Sequence, residues 1–166
     1  MPTLISKAEA ADRIARAQGE NACALCALCA TPRYLLAEGT HCIALLPQYA
    51  RRWGHVMILF RAHVTTYQRL SVEAWTEANV MALAAAQTIE RALSPLRCYV
   101  ASLGAAIEHP MTFPHLHLHV IPIYDATDTP STVLTTRDGV LTGEEHEWEA
   151  LFGKLRGTGN REQETV

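Results

Sequence analysis

The sequence predicts a single α+β domain, a mainly antiparallel five-stranded sheet with one long helix and short helices toward the two ends. Three observations carry that prediction. Five short β-rich runs are separated by turn signals. One unbroken stretch of helix formers, 71–93, lies between the third and fourth of them. The last run, PHLHLHVIP at 114–122, alternates histidine with apolar residues at the period of a strand.

Residues 6–18 read as a helix: Ser6 and Glu9 have capping-box spacing, Ala and Arg fill the interior, and Gly19 is placed to end it. The stretch CALCALC follows, with Cys23, Cys26 and Cys29 three apart, a spacing that suits a ligand pair or the buried side of a helical turn. Residues 34–46 are apolar but interrupted at Glu38-Gly39-Thr40, as two short strands around a turn would be. A loop from Pro47 to Trp53 leads into GHVMILF, 54–60, whose continuous apolar character marks a central strand. Ser71 is placed to cap the long helix, Trp75, Ala82 and Ile89 recur on one stripe, and Ser94-Pro95 stops it. RCYVASL, 97–103, is a strand; 103–114 is a loop with Gly104, Pro110 and Pro114; and 115–123 is the histidine strand. Beyond Asp125 the chain is turn-rich, with a last short helix from about Glu144 to Leu155 and capping spacing between Thr142 and Glu145. The domain is expected to span 1–155, with 156–166 a flexible tail.

With 49% hydrophobic and 19% charged residues over 166 positions, the chain has enough apolar material for one well-buried core. A net charge of -3 gives no electrostatic reason to expect a nucleic-acid polymer or an anionic membrane as partner. The first residues lack the apolar run of a signal peptide and no run reaches the length of a membrane span, so a cytoplasmic protein is expected. In a reducing compartment Cys23, Cys26 and Cys29 are not expected to form structural disulfides, and Cys42 and Cys98, alone in apolar segments, read as buried thiols.

In a strand over 115–123, His115, His117 and His119 share one face while Leu116, Leu118 and Val120 share the other. Same-face neighbours lie about 6.5–7 Å apart, so adjacent imidazoles can share one small ligand. Two chemistries use such a row. One is metal binding, which two strand histidines can begin. The other is nucleophilic catalysis: an imidazole neutral at pH 7 attacks phosphorus with its free ring nitrogen and needs no activating base.

PHLHLHVIP resembles the His-φ-His-φ-His-φ-φ signature of the histidine triad (HIT) superfamily, φ being apolar. GHVMILFRAHV, 54–64, resembles that family's Gly-His strand with a following histidine, and CALC with Leu28 resembles the Cys-x-x-Cys pair of many bacterial members. The resemblance implies a HIT-like fold, a homodimer paired through the long helix and the strand beside it, and a nucleotide or nucleotide-conjugate substrate. It implies His117 as the nucleophile that forms a nucleotidyl-histidine at an α-phosphate, His119 as its phosphate partner, and His115 as support for His117 or a metal ligand. It also implies structural zinc held by Cys23, Cys26, His63 and His115, and no organic cofactor; Cys26 and Cys29 form an equally spaced pair, and CALCAL favours Cys23 with Cys26. For the nucleotide, Gln48, Ser102, Thr112 and Arg51 are the polar residues at matching positions.

Two positions depart from the family pattern. Pro47 stands where many relatives carry an acid for the ribose hydroxyls, and Met111 where they carry a polar donor before the triad. Arg51 and Arg52 offer charge for an anion in the same loop, while Tyr49 and Trp53 offer rings for a base or for loop anchoring. The expected activity is therefore nucleotide hydrolysis or nucleotidyl transfer, with a non-catalytic, zinc-stabilised nucleotide- or anion-binding module as the second reading.

Overall fold

The structure, a computed structural model, describes residues 1–17, 23–103 and 113–159; Gly19, Met111, Thr112 and the tail beyond 159 lie outside them. Along the described chain run β1 (Thr3–Ile5), α1 (Lys7–Ala17), α2 (Ala24–Ala30), β2 (Leu35–Glu38), β3 (Cys42–Leu45), β4 (Val56–Phe60), α3 (Val72–Leu93), β5 (Arg97–Leu103), β6 (His117–Ile123), α4 (Pro130–Thr135), β7 (Val140–Thr142) and α5 (Glu145–Gly159). The expected α+β sheet is present: five strands in the order β2-β3-β4-β6-β5, each pair antiparallel.

The long helix forms as its sequence dictates. Ser71 Oγ accepts the N–H of Ala74 at 3.1 Å, and Ser94 ends the helix in the left-handed region at φ 50°. Its inner stripe, Ala74, Ala78, Ala82 and Ile89, packs on Val56, Ile58, Phe60, Leu118 and Val120 of the sheet. Trp148, Leu151 and Leu155 of α5 close the same core. Glu77 joins helix to sheet: its Oε1 accepts the backbone N–H groups of His41 and Cys42 at 2.8 and 2.7 Å, which pins the β2–β3 turn to α3.

The opposite face of the sheet is covered as well. Ile43, Leu45, Met57 and Leu59 pack against Leu25 and Leu28 of α2 and against Phe113. Covering on both sides is why β4 reads as a continuous apolar run, with every residue from Val56 to Phe60 buried.

A second, two-stranded sheet lies outside the first. β1 pairs with β7 through Ile5↔Val140, and β7 in turn exchanges two backbone hydrogen bonds with Ala50, at 2.7 and 2.8 Å. The loop 47–55 is thereby fixed between the two sheets. Gly139 makes this possible: at φ +106° a Cβ on it would sit 2.3 Å from the carbonyl oxygen of Ile5.

Several expectations need correcting. The histidine strand begins at His117, because His115 sits in the bend before it. The turn-rich region after Asp125 contains α4 and β7. Thr142 lies in β7 and does not cap α5; instead Glu147 Oε2 accepts the N–H of Glu144 at 2.9 Å. α5 continues past residue 155 to Gly159, so the chain remains helical into the span expected to be tail. No helix among the described residues is long and apolar enough to cross a membrane.

Candidate functional site

One turn of α2 brings Cys23 and Cys26 to the same side, since residues three apart are neighbours on a helix. The other half of this cluster comes from the ends of adjacent strands. β4 and β6 are in register at Leu59↔His117, so His63, after β4, and His115, before β6, emerge side by side. Cys26 Sγ lies 3.3 Å from His63 Nδ1 and 3.5 Å from His115 Nδ1, and Cys23 Sγ lies 3.5 Å from His115 Nδ1. All four ligand atoms fall within 4.8 Å of one another. A tetrahedral ion with metal–sulfur bonds of about 2.3 Å and metal–nitrogen bonds of about 2.0–2.1 Å spaces its sulfur and nitrogen ligands about 3.5 Å apart. The donor set and its spacing fit zinc.

The tautomer of His115 suits this role. Its Nε2–H donates to the carbonyl of Phe60 at 2.8 Å, which leaves the lone pair of Nδ1 facing the thiols. Cys29 takes no part: its thiol is directed to the same Phe60 carbonyl at 3.6 Å. Of the two equally spaced pairs, the geometry therefore selects Cys23 with Cys26. Burial, reinforced by the adjoining Cys23 and Cys29, pushes the Cys26 thiol up to about 11. A bound cation reverses that preference, because it stabilises thiolate directly.

The remaining two triad histidines form a separate cluster with His55. His117, His119 and His55 are all buried, at 4%, 4% and 1% exposure, although the alternation alone would leave such a face open. The covering comes from α2 and the terminal segments. A chain of hydrogen bonds assigns every ring proton. The backbone N–H of Arg51 points to His55 Nδ1 at 3.4 Å, so the proton of His55 is on Nε2, which donates to His119 Nδ1 at 2.8 Å. The proton of His119 is then on Nε2, directed at His117 Nε2 at 3.0 Å. His117 carries its own proton on Nδ1 and donates it to the carbonyl oxygen of His115 at 2.7 Å. His117 Nε2 is thus left as a lone pair. Burial, with Arg51 and the neighbouring histidines adding to it, holds His55 and His119 well below the ordinary imidazole range and brings His117 to about 4. The three rings are neutral at pH 7.

Beside them lies a cavity of about 250 Å³. Gln48 and Arg51 line it. Arg51 Nη1 donates to the carbonyls of Val133 and Leu134 at the end of α4, and burial lowers its guanidinium to about 10, still a cation at neutral pH. Among the described residues it has no ion-pair partner. Arg52, its sequence neighbour, is instead held in a two-point ion pair by Asp128, with Nε to Oδ2 at 2.9 Å. Trp53 is a loop anchor, stacked on Trp148 at 4.4 Å between centroids.

Ser102 is not brought to the cavity. It pairs across from Leu118 and shares that residue's face, toward α3, where the hydroxyl of Tyr67 donates to it. The same alternation that gives His117 and His119 one face gives Ser102 the other. Thr112 lies outside the described residues. Sequence reasoning missed Ile14, Met57, Thr136 and Val140, which also line the cavity. The apolar pattern of 54–60 signalled a buried Met57, but nothing local marked the other three.

A family model described as the HIT domain matches residues 30–126. Among curated proteins, a search by sequence finds no match. A zinc-bound histidine triad family protein from Mycobacterium smegmatis has a similar structure, with a TM-score of 0.67 over 88% of this chain and 99% of that one at 16% identity. A hypothetical histidine triad nucleotide-binding protein from Sulfolobus tokodaii aligns with a TM-score of 0.62 over 82% of this chain and 91% of that one at 22% identity. Diadenosine triphosphate hydrolase from Plasmodium falciparum, in complex with cyclomarin A, aligns with a TM-score of 0.62 over 79% of each chain at 14% identity. At these identities the likeness is one of fold.

Proposed function

Since the chain belongs to the HIT domain family, whose members are nucleotide hydrolases and transferases, we propose that it acts at the α-phosphate of a nucleotide through a covalent nucleotidyl-histidine on His117. The observation that carries this reading is the orientation of that ring. Its Nδ1–H is committed to the carbonyl of His115, so Nε2 keeps the lone pair of a ring that lines the cavity and is neutral at pH 7. An entering phosphate takes over the hydrogen bond that His119 Nε2–H makes to that lone pair at rest.

Attack forms the Nε2–P bond as the P–O bond to the leaving group breaks, and the leaving oxygen departs with that electron pair. Positive charge developing on the ring is eased by the hydrogen bond from Nδ1–H to the His115 carbonyl. His119 Nε2–H, aimed at the same point, donates a hydrogen bond to the phosphoryl and leaving oxygens, and His55 keeps His119 in that tautomer. Arg51 supplies positive charge for the phosphate, and Gln48 a polar contact at the cavity rim. Water or another acceptor then attacks phosphorus, and the N–P electron pair returns to Nε2. Cys23, Cys26, His63 and His115 would hold zinc, which supplies a cross-link between α2 and the strand ends beneath the site.

Incubation with labelled nucleotide and quenching without acid should trap label on His117. His117→Ala should lose both label and turnover while melting as the wild type does. Full turnover in that variant would sink the mechanism.

The second reading, a zinc-stabilised nucleotide- or anion-binding module, is favoured by the absence of any carboxylate among the described residues lining the cavity. Binding without turnover across dinucleoside polyphosphates, nucleotide phosphoramidates and nucleotide sugars would establish it. For assembly we propose a homodimer through α3 and the edge strand β5, where Val80, Leu83 and Val100 are exposed. A monomer mass in sedimentation at micromolar protein would refute that.

A further inference from the structure

The cavity beside His117 is divided chemically. Arg51, His55, His119 and His117 follow one another along a chain of hydrogen bonds, and Leu25, Leu28, Met57 and Phe113 form an apolar cluster that lines the cavity with Ile14 and Val140. Neutral polar groups, Gln48, Tyr49, Thr31 and Thr136, complete the lining, and no described lining residue carries a carboxylate. At about 250 Å³ the space is at the small end for a ligand site.

The origin of the walls separates chemistry from selection. The histidines lie within the matched domain, 30–126, whereas Ile14, Leu25, Leu28 and Val140 lie outside it. Two elements place them: the Ile5↔Val140 pairing and the buried Ala10 set α1 against Val140 and Tyr49, while Leu25 and Leu28 of α2 pack on Ile43, Leu45, Met57 and Leu59 of the main sheet. The flanking segments therefore decide what sits next to the phosphate.

We propose that this cavity recognises a nucleoside 5′-phosphoryl group by two features only, its anionic phosphate through Arg51 and its flat apolar ring through the α1, α2 and β7 walls, and that it does not read the sugar 2′ and 3′ hydroxyls. This rests on the nucleotide reading above. A site built to hydrogen-bond a hydroxyl rejects the analogue that lacks it by about 10⁴-fold or more. Among the described residues the body of the cavity offers such a group no charged acceptor, and apolar walls favour the ligand that brings fewer hydroxyls to be desolvated.

Calorimetric titration of the zinc-loaded full chain tests this with three ligands: AMP, 2′,3′-dideoxyadenosine 5′-monophosphate and adenosine. The two monophosphates should bind with dissociation constants within about 5-fold of each other, and adenosine at least about 10-fold more weakly. AMP binding more than about 5-fold tighter than its dideoxy analogue would overturn the proposal, as would no binding of either monophosphate at about 10 mM. Arg51→Met should abolish the advantage of AMP over adenosine. Ile14→Asp, on a partly exposed helix position, should weaken both monophosphates alike by about 10-fold, with an unchanged far-UV spectrum to show that α1 persists. Unchanged affinity in either folded variant counts against the assignment. Failure to trap label on His117 with this binding pattern intact would instead refute the catalytic reading alone.

Discussion

At the scale of single residues, the site works by committing one ring nitrogen of each histidine so that the other has a defined task. His115 gives Nε2–H to Phe60 and turns Nδ1 to the thiols; His117 gives Nδ1–H to the His115 carbonyl and turns the lone pair of Nε2 to His119. One residue thus serves both clusters, with its ring in the first and its carbonyl in the second. The cysteines divide as sharply. Cys26 stands within 3.5 Å of two imidazoles, while Cys29 meets only a carbonyl. Elemental mass spectrometry should therefore find about one zinc per chain in the wild type and in Cys29→Ser, and almost none in Cys26→Ser. Retention in both variants would argue against the cluster. The spacing CALCALC made the ligand pair legible but left its register open, because three residues per step is the same step for both pairs.

At the scale of elements, the pairing of β1 with β7 has consequences out of proportion to its length. Three residues on each side hold α1 and the loop 47–55, and with them Arg51 and the part of the apolar wall that Ile14 and Val140 supply. Gly139→Ala forces a Cβ against the Ile5 carbonyl at a positive φ, which should cost about 1–3 kcal/mol. Amide exchange of Leu4 and Ile5 should accelerate, and AMP should bind more weakly, while exchange in β4 and β6 stays slow. Unaltered exchange at Ile5 would show the pairing to be incidental. These elements were invisible in the sequence. A three-residue strand has no period to detect, and its stability comes from its partner rather than from its own residues. By contrast α3, β4 and β5 were legible because each carries a cap, a stop or an apolar run of full element length.

At the scale of the whole molecule, the buried histidines make stability a function of pH. His55 and His119 are held neutral by burial, facing Arg51 and His117, with folded pKa values below the ordinary 6.5. The unfolded chain takes up protons below pH 6.5 that the folded chain refuses. Stability is therefore complete above that value and falls below it, by up to about 1.4 kcal/mol per pH unit for each ring. Melting curves at pH 7.5, 6.0 and 5.0 should show a progressive decline that His55→Asn makes shallower; a midpoint independent of pH would contradict it. The five strands, the long helix and the alternation that aligns the histidines were legible in the chain because period and capping are local properties, and the set Cys23, Cys26, His63 and His115 was legible through the resemblance to the HIT pattern. Long-range packing selected the cysteine pair that meets the imidazoles, turned Ser102 to the other face, paired Arg52 with Asp128 while Arg51 lines the cavity, and brought the terminal segments to wall the site. Those outcomes depend on which distant surfaces come together, and contact between residues far apart in the chain leaves no mark on the spacing of either one.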